Sequence, residues 1–139
     1  MYGAVGNEAN AIAPGKRMLS SMTPSLVLDK GKVYLVVGTP GGTTITTSVF
    51  QTLVDILDFN LSPEDAVNKP KFHHQWLPDE LYVEAGFPAD IREQLKAMGY
   101  TITQRGSIGR TEVIKVQPGK EHKIEAVGDR RGDDTADGY

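Results

Sequence analysis

The sequence predicts an α/β fold of the α+β kind, in which a largely antiparallel sheet carries two to three helices. Three observations point there. Short β-branched runs separated by turn residues occur both early and late in the chain, a helical apolar stripe follows a glycine-rich breaker, and Ser62-Pro63 marks a second helix start.

Taken in order, residues 1 to about 16 show no periodicity and are expected to form an extended or poorly ordered arm ending at Pro14-Gly15. The arm also lacks the basic and apolar regions of a secretory signal. Ser25-Leu26-Val27-Leu28 and Val33-Tyr34-Leu35-Val36-Val37 flank Asp29-Lys30-Gly31-Lys32 and predict a hairpin. The second run is apolar at nearly every position, which predicts a strand covered on both faces. Gly38-Thr39-Pro40-Gly41-Gly42 must then be a loop.

Beyond it, Ile45, Val49, Leu53, Ile56 and Leu57 recur at helical spacing, with Phe50 and Val54 widening the stripe. A helix from roughly Thr43 to Asn60, apolar around most of its circumference, is expected to be sandwiched between two layers. Ser62 reads as the cap of a short helix with Pro63 at its first position and Glu64 and Asp65 in its first turn, and Pro70 ends it by disfavouring helix at Lys69. Leu81-Tyr82-Val83-Glu84 predicts a strand, and Pro88 to Met98 a helix presenting Ile91, Leu95 and Met98, closed by Gly99. Tyr100 to Thr103 predicts another strand. Val113 to Val116 and Lys123 to Val127 predict a hairpin around Pro118-Gly119-Lys120-Glu121. The tail from Gly128 is charged, with Arg130-Arg131 opposite Asp133-Asp134. One structural unit spanning residues 1–139 is expected, and 139 residues match the handful of layers that a domain of about 150 residues builds.

Composition excludes several classes of function. Fifteen basic residues against eighteen acidic ones give a net charge of −3, and with no basic stripe nucleic acid is not an expected partner. No apolar run approaches the ~20 residues of a membrane span. The absence of cysteine removes disulfides, thiolate nucleophiles and zinc ribbons together.

Two segments carry candidate chemistry. Gly41 and Gly42 stand at the start of a helix, where free backbone N–H groups receive an anion or a transition-state oxyanion; the plain alternative is a tight strand-to-helix turn. Ser20 and Ser21, close to Lys16 and Arg17, offer hydroxyls and cations to a carboxylate; the plain alternative is a pair of turn residues. His73-His74 near Asp79 and Glu80 invites a metal reading, but adjacent residues on an extended chain point to opposite sides, so surface or hydrogen-bonded core histidines are expected instead and no metal site is assigned.

Lys16-Arg17-Met18-Leu19-Ser20-Ser21-Met22-Thr23-Pro24, Gly38-Thr39-Pro40-Gly41-Gly42 and Pro70-Lys71-Phe72-His73-His74-Gln75-Trp76-Leu77-Pro78-Asp79 together closely resemble the C-terminal part of the small subunit of gamma-glutamyltranspeptidases. The resemblance runs from Tyr2-Gly3 to Gly138-Tyr139. It implies an N-terminal nucleophile hydrolase: a four-layered αββα sandwich built from two subunits, in which a self-exposed threonine attacks a γ-glutamyl amide with its own α-amino group as base. By position, Ser20 and Ser21 match the serines that hold the substrate α-carboxylate, and Gly41 and Gly42 match the oxyanion-hole glycines.

The same resemblance places the threonine nucleophile, and the acidic pair that grips the substrate amino group, upstream of Met1. Thr43, Thr44, Thr46 and Thr47 cannot stand in, because none has a free α-amino group. Met18 replaces a proline that many members carry. The expectation is a C-terminal part that binds carboxylate and oxyanion but is inert alone, with a small γ-glutamyl substrate of the glutathione type, the missing N-terminal part or large subunit as partner, and no cofactor. An uncovered sheet further predicts self-association, as a symmetric dimer. The family suggests a periplasmic or extracellular setting. The alternatives are a non-catalytic module for a small carboxylate or amino acid, an amidase for another acyl group, and a purely structural subunit.

Overall fold

A computed structural model describes residues 8–117 and 123–138. Strand β1 (Ser25–Asp29) and strand β2 (Lys32–Gly38) pair antiparallel, as the turn residues between them require. Strand β6 (Glu112–Val116) pairs with the other edge of β2, and β7 (Ile124–Val127) with β6, to complete an antiparallel sheet in the order β1-β2-β6-β7. The expected turn at Pro118-Gly119-Lys120-Glu121 lies outside the described residues, as do residues 1–7 of the expected arm; residues 8–16 are exposed and hold one 3₁₀ turn, Glu8–Asn10.

The glycine-rich loop leads through a 3₁₀ turn, Gly42–Thr44, into helix α1 (Ile45–Leu57), a tighter start and an earlier end than the periodicity predicts. Helix α2 (Pro63–Asn68) begins where its sequence says, with the Ser62 hydroxyl accepting from the Asp65 N–H at 3.0 Å. Both helices pack on one face of the sheet, α1 against β2 and α2 against β6 and β7. Leu35, Val37 and Val113 from the strands meet Val49, Ile56, Ala66 and Val67 from the helices, and this is the core.

A smaller sheet, β3-β4-β5, stands beside α1 and builds the platform for the motif around His73. Strand β3 (Phe72–His73) runs antiparallel to β4 (Leu81–Val83), and β4 runs parallel to β5 (Ile102–Gln104) across helix α3 (Ala89–Ala97). Neither the two-residue strand nor the parallel pairing was expected from sequence.

Two expectations are corrected, and one predicted helix leaves its apolar face uncovered. Strand β2 is covered on one face only: Leu35 and Val37 are buried, whereas Val36 is 37% exposed on the opposite face. Helix α1 is not sandwiched, since Phe50 on its outer side is 59% exposed. Helix α3 buries no residue, with Ile91 and Met98 of its predicted apolar face exposed. In each case the apolar pattern is real, but no second layer lies over it among the described residues.

The tail differs too. Arg131 does not pair with Asp133 or Asp134 but inserts between the sheets, donating to Glu84 at 2.6 Å and to Asp129 at 3.0 Å, and to the carbonyls of Val67 and Lys69. Arg130 pairs with Glu64, while Arg110 takes the place opposite Asp134.

Candidate functional site

The loop after β2 is held by its own carbonyls. Gly41 O accepts from the Thr44 N–H at 3.2 Å and the Thr44 hydroxyl at 2.9 Å. Gly42 O accepts from the Ser21 hydroxyl at 2.7 Å and from the Ile45 N–H. Among the described residues, no group accepts from the N–H of Gly41 or of Gly42. Carbonyls tied back and N–H groups left over is the arrangement that receives negative charge from outside the chain.

Glycine is required here for a physical reason. Gly41 has φ +143°, outside the range of an L side chain, and a Cβ on it would lie 2.5 Å from Thr44 Oγ1. Gly42 follows at φ +60°, and the pair turns the chain from strand to helix in two residues.

Ser20 and Ser21 lie twenty or so positions earlier in the sequence, yet the structure brings them to this turn. The Ser21 hydroxyl makes the bond to Gly42 O, and Thr23, two residues on, bonds through its hydroxyl to Thr46 of α1 at 3.1 Å. The Ser20 hydroxyl accepts from the Met22 N–H at 3.2 Å and is exposed beside the turn. Lys16 and Arg17 are exposed as well. On the other side of Gly41 lies a recess of about 360 Å³ lined in part by Thr44, Arg105, Ser107 and Arg110. Two guanidinium groups make its wall cationic, although Arg110 also approaches Asp134 to 2.8 Å.

His73 and His74 do not converge. His73 is buried, with its ring nitrogens on Thr47 at 2.8 Å and Gln75 at 3.0 Å, while His74 faces outward and pairs with Asp79 at 3.0 Å. Burial lowers the His73 pKa below the ordinary imidazole value and keeps the ring neutral. Among the described residues, no three His, Asp or Glu side chains stand together as a metal site would need.

Sequence reasoning missed a buried ionic cluster behind the site. The Lys71 amine is buried and donates to the carbonyls of Val67 at 2.7 Å and Ala66 at 3.3 Å, capping the C-terminal end of α2 where a cation is favoured. Burial, aided by Arg131, pushes its pKa down to about 8. Burial pushes the Glu84 carboxyl up, but Arg131 and the N–H groups of Lys71 and Ile108 outweigh it and hold that carboxyl below the usual range. Through Ile108, Glu84 anchors the loop that runs on to Gly109 and Arg110, beside Gly41. The one sequence signal was Glu84, a charge at the end of the apolar run Leu81-Tyr82-Val83.

The gamma-glutamyltranspeptidase family profile matches residues 1–139. The glutathione hydrolase proenzyme of Escherichia coli (strain K12) is 46% identical over 140 residues, which cover 100% of this chain and 24% of that protein. The glutathione hydrolase proenzyme of Pseudomonas aeruginosa is 52% identical over 135 residues, covering 94% of this chain and again 24% of the relative. The structure superimposes on a mutant of Helicobacter pylori gamma-glutamyltranspeptidase with a TM-score of 0.88 at 45% identity, covering 95% of this chain and 72% of that one. The chain therefore spans about a quarter of the length of those proenzymes, as a C-terminal portion of a larger protein would. The profile and the sequence match run the whole length and the backbone match covers 95% of it, and the chain belongs to the gamma-glutamyltranspeptidase family, with the N-terminal nucleophile hydrolase fold.

Proposed function

We propose that this chain supplies the carboxylate-binding and oxyanion-stabilising part of a site for γ-glutamyl transfer and hydrolysis, acting on amides of the glutathione type. The observation that carries the reading is the turn itself, whose carbonyls are occupied while the N–H groups of the exposed Gly41 and Gly42 have no partner among the described residues. A hydroxyl attacking the γ-carbonyl turns its oxygen into an oxyanion. Two N–H donors already in place stabilise that charge without reorganising, and removing one such donor typically raises the barrier by about 2.7–4 kcal/mol. The amine then leaves with a proton, and the acyl group passes to water or to an acceptor amine.

Ser20 and Ser21 are the proposed partners of the donor's α-carboxylate. Ser21 is already oriented by its bond to Gly42 O, so carboxylate and oxyanion are registered to the same turn. The nucleophile comes from the portion of the enzyme outside these residues. Thr44 and Thr47 are engaged within the fold, and no threonine after Gly42 has the α-amino group the chemistry needs.

The test is release of chromophore from a γ-glutamyl anilide by the purified chain, alone and mixed with the N-terminal portion of a glutathione hydrolase. No turnover alone and turnover on mixing are expected. Turnover by the chain alone would overturn the division of labour. A silent mixture, under conditions where the relative's own C-terminal segment restores activity, would overturn the function.

A further inference from the structure

The run from Phe72 to Pro78 is the most distinctive in the sequence, and the contacts proposed for substrate give it no role. Its polar side chains nevertheless reach the glycine turn. Gln75 Nε2 donates to the Leu77 carbonyl at 2.8 Å; a carbonyl only accepts, so this bond fixes which way the amide faces. Its Oε1 is left to accept, and it takes both the Thr43 hydroxyl at 3.0 Å and His73 Nε2 at 3.0 Å. His73 Nε2 therefore carries the ring proton. Nδ1 is then a lone pair facing the Thr47 hydroxyl at 2.8 Å, and that hydroxyl, also 3.1 Å from the Thr44 carbonyl, shares its one proton between the two acceptors.

The surroundings favour a neutral ring. Burial lowers the pKa of the ring, the charges of Arg105 and His74 act in the same direction, and the bond to Gln75 opposes them. The Tyr82 ring stacks on His73 with centroids 6.5 Å apart. Next to Gln75, Trp76 holds a φ of +74°, a conformation costly for a bulky residue and maintained only where the surroundings impose it.

The bonds thus run Thr43, Gln75, His73, Thr47. They begin on the residue directly after Gly42 and end one helical turn later on the same segment. From these contacts we infer that His73 and Gln75 are positioning residues for the Gly41–Gly42 turn, gripping the first helical turn at both Thr43 and Thr47 and so setting the direction of the two glycine N–H groups. Ser21 and Thr44 tie the turn through its carbonyls, whereas Gln75 ties it to the small sheet. The catalytic meaning of this inference rests on the oxyanion reading of the two glycines; its structural half does not.

Nuclear magnetic resonance of the isotope-labelled chain tests the structural half by itself. The His73 ring is expected as the Nε2–H tautomer at neutral pH. Thr43→Val and Gln75→Leu are each expected to shift and broaden the Gly41 and Gly42 amide signals while the rest of the spectrum stays dispersed. An Nδ1–H tautomer, or unmoved glycine signals in Thr43→Val, would overturn the inference whatever the glycines do in catalysis.

The active mixture tests the catalytic half. Gln75→Leu is expected to lower kcat per titrated site by about 10²-fold, the scale of a small misplacement near the reacting atoms, with little change in KM. Thr43→Val follows it, and Thr43→Ser restores the rate. A merely structural role would reduce the number of titrated sites and leave kcat per site intact, which would overturn the positioning role. Should the wild-type mixture itself be silent, the functional reading fails, and the resonance result alone decides this inference.

Discussion

Gly41 tolerates change less than any other residue of the turn, because backbone conformation and space both exclude a side chain there. Gly41→Ala is expected to destabilise the chain by about 1–3 kcal/mol through strain at positive φ, which urea denaturation reads directly. Ser21→Ala removes a bond near the surface and is expected to cost at most about 1 kcal/mol of stability. In the active mixture its larger effect should be on the KM for the γ-glutamyl donor. Arg131 is different in kind, since its loss strands Glu84 and Asp129, both buried, without their cation. Arg131→Ala is expected to cost about 3–5 kcal/mol, the scale for breaking a buried pair from one side. The pH dependence follows from the same cluster. Lys71 gives up its proton near pH 8 when folded but nearer 10.5 when unfolded, so between those values the unfolded chain binds more protons and stability rises with pH. Urea midpoints compared at both ends of that window should therefore climb in the wild type relative to Lys71→Met. Glu84 acts with the same sign on the acid side. Its folded pKa lies below the ordinary carboxyl value, so its contribution is lost as pH falls through that lowered range.

Among the elements, what could be read from sequence was what local chemistry decides. The cap at Ser62, the hairpin of β1 and β2, and the helical repeat of Ile45, Val49 and Ile56 all depend on neighbours within one or two turns of chain. Strand β3 has two residues and owes its existence to β4, while the parallel pairing of β4 with β5 is set by α3 lying between them; no window of sequence contains either fact. Likewise, Ser20-Ser21 and Gly41-Gly42 could be picked out separately as places for an anion. That Ser21 would lie on Gly42 is a matter of tertiary folding. Lys71, Glu84 and Arg131 are far apart in sequence, and only the fold brings the Glu84 carboxylate onto the Arg131 guanidinium and the Lys71 N–H. Helix α3 carries an apolar stripe but buries none of it. Its amides are expected to exchange with solvent faster than those of α1, a comparison that hydrogen exchange followed by mass spectrometry makes in one experiment.

As a whole molecule, the chain lays an α layer on one face of its four-stranded sheet, with a smaller sheet beside it, and among the described residues the far face of the large sheet is bare. Leu26 and Val36, register partners, continue to Ile114 on the next strand, and all three are exposed on that side. A contiguous apolar sheet face of this kind seeks cover, and the αββα sandwich implied by the family resemblance would lay a second sheet over it. Purified alone, the chain is expected to associate through this face; a clean monomer by sedimentation at high concentration would refute that. Free glutamate is expected to bind it weakly, since the groups proposed for the amino end lie elsewhere, and a micromolar constant by calorimetry would instead favour a carboxylate-binding module. The ionic clip made by Arg131 has one further consequence, for the order of events during synthesis. The groups that Arg131 joins, at Val67, Lys69, Glu84 and Asp129, all emerge from the ribosome before it does. Helices and strands made earlier must therefore wait, with buried acids uncompensated, until the segment after β7 arrives to lock them.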